Sequence, residues 1–507
     1  MNLNLSIGYL RFENEKFDDG TRVERLLAEN WVTGALALAF LGYVAARAWL
    51  LPITHDEGAT ILNHVPRLVE DTLFFQKEAN PNNHILNTLG IKLFLSIFLG
   101  SQFVVRLPVL IGCALYLWAS LGICRRLSPQ LWVRLFGMIV LLGNPFLAEF
   151  FGLARGYGLA SGLMLMALYQ AWRFFENNTA RTLCTAFIYA GLAVYANFTL
   201  LLFFAPFTIL LFCAGWQQNR RWAAFRTVAL PALCTVVIFT LLWLTPLRHL
   251  SKDQELVHWE QLGSDFETIR LLVRSSTHGQ PYLGADTTLI LSWAALAAML
   301  AGWSIAVWQW RRQNWRFAQD PKTFLAAVFA GAVIANLMNV HLLHTAQLNA
   351  RLSLFFYPLF ALLLGSMAAW IWQRARKFTW ILLAPVLVLT LMNNVRCMNL
   401  HASFEWWFDS STFAVLNKMQ EIQAAEGRTE PYTFDGHWAM MNSFTVHVSE
   451  FPQGYDRTVQ SVSWHADRVP TPGPDFFFAL NEVELQALRE TYQVVYRPPV
   501  GVLLRKK

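Results

Sequence analysis

Runs of roughly twenty apolar residues recur along this 507-residue chain, and no other feature limits its fold so tightly. A bilayer core holds no water to satisfy backbone N–H and C=O groups, so a chain that crosses it does so as helices of ~20 residues or as a closed barrel. Long, largely apolar runs such as 31–51 and 289–308 select the helix. Charged residues make up only 14% of the chain, against roughly 25% in soluble domains, so most of its surface has no water to face. Several such runs exist, which excludes a cleaved leader followed by a soluble domain.

The net charge of +7 does not indicate a nucleic-acid partner, because the basic residues sit in small groups between the apolar runs. Examples are Arg125-Arg126, Arg220-Arg221, Arg311-Arg312 and Arg374-Ala375-Arg376-Lys377. Eleven spans leave all of these on one side: 31–51, 107–123, 131–148, 157–172, 183–196, 200–215, 228–247, 289–308, 324–342, 352–372 and 380–395. The positive-inside rule makes that side cytoplasmic, with the amino terminus inside and the carboxyl terminus outside. Six scattered cysteines without a CxxC pair predict neither a metal cluster nor a disulfide framework.

Residues 84–100 test this topology, since a twelfth span would invert everything after it. His84, Thr88, Lys92 and Ser96 recur every four residues, one polar stripe on a helix otherwise made of Ile, Leu and Phe. That pattern predicts a juxtamembrane helix lying in the outer interface. The expected organisation is a cytoplasmic segment 1–29, a membrane domain 30–396 with an outer loop 52–106, and a soluble extracytoplasmic domain 397–507. Polar residues return in the last part, with the proline-rich Val469-Pro470-Thr471-Pro472-Gly473-Pro474, a helix over 481–492 and strands over 493–496 and 500–504.

Chemistry-bearing residues gather in the outer segments. Asp56 and Glu57 follow the first span directly; a carboxylate beside a low-dielectric slab is harder to ionise, which suits a proton acceptor. The structural alternative is a charge pair that caps the next helix. Glu149 and Arg155 are the charges of one short outer turn, paired with each other or with an anionic ligand for Arg155. His341-Leu342-Leu343-His344 and Arg351 mark another outer turn, where a guanidinium either binds phosphate or snorkels to head groups. Acids with phosphate-binding cations are the equipment for group transfer from a phosphate leaving group.

With these residues the chain resembles the GT-C superfamily of membrane glycosyltransferases, in the branch of protein O-mannosyltransferases and the lipid A aminoarabinose transferase. The resemblance rests on Asp56-Glu57, Asn80-Pro81-Asn82-Asn83-His84, Arg106-Leu107-Pro108, Arg125-Arg126-Leu127, Ala154-Arg155-Gly156-Tyr157 and Arg351 leading into Tyr357-Pro358-Leu359. It implies a mainly α, polytopic transmembrane bundle with juxtamembrane helices and, here, a small C-terminal α/β domain. It also implies a polyprenyl-phosphate-sugar donor and inversion at the anomeric carbon, in a bacterial inner membrane with the site on the extracytoplasmic side.

Asp56 would be the general base, with Glu57 beside it and Glu149 orienting acceptor or base. Arg155, Arg351, His84 and Lys92 would meet the leaving phosphate, with Tyr157 and His344 in the same substrate-binding set. Asn82-Asn83-His84-Ile85 stands where many members carry His-Pro-Pro, which leaves the sugar open. The acceptor is a protein, a lipid or a glycan. A divalent metal would suit carboxylates meeting a phosphate, but no dedicated ligand set is visible and none is assigned. The competing classes are a lipid or sugar transporter or flippase, whose charges belong near the bilayer midplane, and a scaffold acting through the tail.

Overall fold

The computed structural model describes residues 19–75, 82–250, 266–317, 320–345, 347–451, 454–464 and 473–507. Asn80-Pro81, residues 251–265 of the middle loop, residues 469–472 of the proline-rich run and the first eighteen residues lie outside the described residues.

The chain opens with α1 (Asp19–Leu50), which contains the first membrane-length run, Trp31–Leu50. Four short helices fill the loop after it: α2 (His55–Asn63), α3 (Val69–Phe74), α4 (Ile85–Leu95) and α5 (Gln102–Val105). Next come α6 (Leu107–Leu127), α7 (Leu131–Leu142) and α8 (Pro145–Phe151), with a 68° bend between the last two. Asn144 caps α8 by accepting the Leu147 N–H, and Pro145 stands in its first turn. The bundle continues through α9 (Gly156–Asn177), α10 (Ala180–Ala196), α11 (Leu201–Gln218), α12 (Trp222–Leu250), α13 (Phe266–Ser276), α14 (Thr287–Arg312), α15 (Pro321–Leu343), α16 (Phe356–Arg374) and α17 (Arg376–Cys397).

Among the described residues eight helices are long and apolar enough to cross a membrane, namely α1, α6, α11, α12, α14, α15, α16 and α17, or nine if α7 and α8 form one bent span. The chain is an integral membrane protein. Of the other two expected spans, α10 is apolar but only 17 residues long, and α9 is long enough but less apolar. Nearly every side chain of α9 is buried, Ser161 and Gln170 included, because it packs between α6 and α10. A helix shielded by protein has no need of a uniformly apolar face. Small residues bring it close: a Cβ on Gly162 would run into the Gly112 carbonyl of α6.

At 11 residues, α4 is about 16 Å long and too short to span. Its polar stripe faces the protein: His84 and Thr88 are buried, while Leu93 and, beyond the helix, Ile97, Phe98 and Leu99 are exposed. The outward face of this helix is therefore apolar, and the inward one combines His84 and Thr88 with the buried Ile85 and Ile91, while Ser96 at the end of the stripe is exposed.

After α17 a strap, 398–411, leads into the C-terminal α/β unit. It comprises α18 (Thr412–Glu426), β1 (Tyr432–Gly436), α19 (Trp438–Thr445), β2 (Val459–Trp464), β3 (Phe476–Ala479), α20 (Glu482–Leu488), β4 (Tyr492–Tyr496) and β5 (Val502–Lys506). The sheet order is β2-β1-β3-β5-β4, parallel at β2–β1–β3 and antiparallel at β3–β5–β4. Phe434, Phe476, Phe478 and Leu503 form its core with Met440 and Phe444 of α19. Asn481 caps α20 through the Glu484 N–H, and this helix ends sooner than expected because Tyr492 joins β4. On the membrane side α19 packs on α2 so closely that a Cβ on Gly58 would meet the Asn442 carbonyl at 2.8 Å.

Candidate active site

The amino end of α2 is bolted down by Glu57. Its carboxylate takes two parallel bonds from Arg106, Nε at 2.8 Å and Nη2 at 2.7 Å, and also accepts Thr54 N at 2.8 Å and Ala154 N. Arg106 spends its other donors on the carbonyls of Ala48, Leu51 and Pro52, at 2.8–3.1 Å, where α1 ends. Burial pushes the Glu57 carboxyl up, but the Arg106 charge and the hydrogen bonds outweigh it and hold the group below its ordinary value. With 0% exposure and both oxygens occupied, Glu57 ties α1, α2, α6 and the turn before α9 together.

The neighbouring Asp56 faces elsewhere. Its side chain is 13% exposed and its Oδ2 lies 3.0 Å from Arg351 Nη1 and 3.5 Å from Arg155 Nη2. Arg155 is itself buried and also donates to the Asp56 carbonyl and Thr60 Oγ1, both at 3.2 Å, and to Asn82 Oδ1. Arg351 Nη1 is shared with Glu405 Oε2 at 2.9 Å, and its guanidinium lies 5.3 Å from the Trp406 ring centroid. Two arginines and two carboxylates thus converge from four parts of the chain.

Glu149 and Arg155 do not pair with each other, contrary to the simpler of the two expectations. Glu149 receives Arg47 Nη2 at 3.4 Å and the Phe404 N–H at 3.0 and 3.1 Å. Arg47 also donates to the carbonyls of Asn399 and Ala402, so the two residues pin the strap to the end of α1. The turn that enters α9 at Gly156 directs Arg155 toward α2 instead.

His84 caps α4 and lies edge-on to Tyr157, 4.7 Å between centroids. Burial, then Arg155 and Arg351, hold its imidazole well below the usual value and therefore neutral. One ring nitrogen bonds the Ala196 carbonyl and Nε2 is buried without a partner. A neutral ring donating to a carbonyl keeps a lone pair at Nε2, which fits a hydroxyl and not a phosphate oxygen. Lys92 Nζ donates to the Val65 and Arg67 carbonyls, closing the chain after α2. Tyr157 also packs on Phe150 at 4.8 Å. His344 is exposed, in left-handed conformation at the end of α15.

Sequence reasoning missed the C-terminal contribution. Asp409 Oδ2 accepts the His55 N–H at 2.7 Å, His447 Nε2 accepts the Ile53 N–H at 3.1 Å, and Asn442 donates to the His55 carbonyl at 3.2 Å. Burial drives the His447 imidazole down to about 3, so it stays neutral and can accept that bond. Burial also pushes the Asp409 carboxyl well above its usual range. Arg47 carried the one available signal, a charge inside an apolar run. Among the described residues no group of three or more His, Cys, Asp or Glu is placed to hold a metal.

No protein-family model and no curated protein matches the sequence. Among solved structures, the chain is similar to ArnT from Cupriavidus metallidurans in the apo state, at 13% identity and a TM-score of 0.50, over 94% of this chain and 98% of that one. A second structure of the same protein, bound to undecaprenyl phosphate, is similar at 12% identity and a TM-score of 0.49, over 93% and 97% of the two chains. The architecture expected from the sequence, a mainly α membrane bundle with a small C-terminal α/β domain, is the one found, and it is similar to that of ArnT.

Proposed function

We propose that this protein is an inverting glycosyltransferase that moves a sugar from a polyprenyl-phosphate donor to an acceptor at the extracytoplasmic face of a bacterial inner membrane. The observation that carries the reading is Asp56, partly exposed and held between Arg351 at 3.0 Å and Arg155 at 3.5 Å where α2, α9 and α16 begin. Basic pairs at the opposite ends of the helices, such as Arg125-Arg126 and Arg311-Arg312, support the outward orientation. The ArnT-like fold supports the class of reaction.

In this reading Arg351 and Arg155 receive the donor phosphate. The acceptor hydroxyl or amine attacks the anomeric carbon from the face opposite the phosphate, and its proton passes to Asp56 Oδ. The bond from anomeric carbon to phosphate oxygen breaks, and its electron pair stays on that oxygen, where fixed guanidinium groups stabilise the growing charge. Neutral His84 accepts a sugar hydroxyl at Nε2. Glu149 acts on the reaction through the strap it anchors. Transport is the weaker reading, because these charges gather at helix ends and not at mid-span.

Replacing Asp56 by Asn tests the proposal. Sugar transfer from a polyprenyl-phosphate donor in proteoliposomes is expected to fall by at least a thousandfold while the variant accumulates and melts like the wild type. Turnover within tenfold of wild type would remove Asp56 from the role of base.

A further inference from the structure

Arg351 already holds an anion from its own chain. Its Nη1 is bonded by Asp56 at 3.0 Å and by Glu405 at 2.9 Å, so the two carboxylate oxygens lie within about 6 Å of each other on one guanidinium nitrogen. Arg155 and Arg351 against Asp56 and Glu405 leave the empty site with no net charge. Only Arg155 of the four is enclosed, while Arg351, Glu405 and Asp56 keep 25%, 19% and 13% exposure, so a phosphate anion that enters this half-buried cluster without removing a negative charge meets the repulsion of two carboxylates at reduced dielectric.

The two carboxylates are not equally free to yield. Asp56 keeps Arg155 as a second partner, whereas Glu405 has Arg351 as its one described ion-pair partner. Glu405 sits on the strap, whose backbone is fixed independently by Phe404 N on Glu149 and by the Asn399 and Ala402 carbonyls on Arg47. Its side chain can therefore leave Arg351 without unseating the strap. Burial, partly offset by Arg351, already pushes the Glu405 carboxyl up, so giving up its charge is made easier there. Trp406 remains beside the guanidinium when Glu405 departs.

We propose that Glu405 is a stand-in anion: it aims Arg351 in the empty site and is displaced from it by the phosphate of the lipid-linked donor. This rests on the reading above that Arg351 takes the donor phosphate. Glu405 is thus a positioning residue that sets donor affinity, and its contact with Arg351 is traded for the contact the leaving group needs.

The test is binding of undecaprenyl phosphate to the full-length protein in detergent, for wild type, Glu405→Gln and Glu405→Asp, with melting curves to verify folding. Glu405→Gln removes the competing charge at nearly constant shape and is expected to bind about tenfold more tightly. Glu405→Asp, which keeps the charge, should bind like wild type. In turnover assays the Gln variant should lower the donor KM while kcat stays within about threefold. Equal or weaker binding by a folded Gln variant overturns the stand-in role and leaves the donor reading intact, as does a collapse of kcat, which would put Glu405 in the chemistry. Absence of binding by folded wild type would refute the phosphate reading itself.

Discussion

Arg106→Met isolates the bolt beneath the site. The substitution keeps the volume of the stem and leaves Glu57 fully buried without its counter-ion, facing three carbonyls that have also lost their donors. Breaking a buried pair in this way costs on the order of 3–5 kcal/mol. Glu57 can limit the loss by taking a proton: from its usual value of 4.5, protonation at pH 7 costs about 3.4 kcal/mol at 1.36 kcal/mol per unit. At pH 5 the same protonation costs only about 0.7 kcal/mol.

The sign therefore differs between the two proteins. In wild type the Glu57 carboxyl is depressed on folding, so its contribution is present above 4.5 and lost as the pH falls through the folded value. In Arg106→Met it is raised on folding, so the deficit is largest at pH 7 and shrinks toward pH 5. Thermal unfolding in detergent can be followed by thiol labelling of Cys113 and Cys124, both buried in the bundle. The variant should melt well below wild type at pH 7.5 and recover part of the gap by pH 5, the remainder being the pH-independent loss of the Arg106 bonds to the three carbonyls. Arg106→Lys, a point charge without the fork, should fall between the two. A deficit of the same size at both pH values would refute the assignment of Glu57 as a buried, charge-balanced anchor.

Gly58→Ala places a Cβ 2.8 Å from the Asn442 carbonyl and should loosen α19 from α2. Limited proteolysis within the strap 398–411 should then become several-fold faster, and an unchanged rate would mean that this close approach does not hold the domain. Asp409 is raised well above its usual value on folding, so its contribution is lost as pH rises. Asp409→Asn should therefore gain in melting temperature over wild type between pH 5 and pH 8, and a gap constant with pH counts against a neutral Asp409. A cysteine at Ser101, where α5 begins, should react with a membrane-impermeant maleimide from the extracytoplasmic side. Reaction only from the cytoplasm would invert the topology.

The helices of the bundle were legible because span length is a property of local sequence: ten of the eleven expected runs match one helix each, and 131–148 is divided between α7 and α8 at a 68° bend. Their apolarity ranked less well, since α9 is buried by protein and its polar residues are tolerated there. Asp56 and Arg351 were legible as charges at helix starts. Their partners were not: Glu57 finds its counter-ion in Arg106, 49 residues on, and Arg351 finds Glu405 after 54. Pairing Glu149 with Arg155 failed for the same reason, since nearness in sequence says little once α8 and α9 set out in different directions.

Adjacent carboxylates at a helix start carry one rule that could have separated them. Successive residues on a helix point about 100° apart, so Asp56 and Glu57 are aimed in different directions. The residue three beyond the N-cap is the one that reaches back to the cap, and Glu57 does so at Thr54 N. Turning Glu57 inward leaves Asp56 as the member of the pair open to the site. The same reasoning explains why the arginines are anchored so heavily. If Arg155 and Arg351 receive the donor phosphate as proposed, they are worth more to its developing charge the less they must move to meet it. A half-buried guanidinium is also costly to leave without a counter-ion before a donor binds. A carboxylate that can be traded away satisfies both demands at once, and Asp56 cannot serve as that carboxylate if it is also to receive the acceptor's proton. On the proposed reading, in which Asp56 receives the acceptor's proton, Glu405 is the acid on Arg351 that is free to be traded.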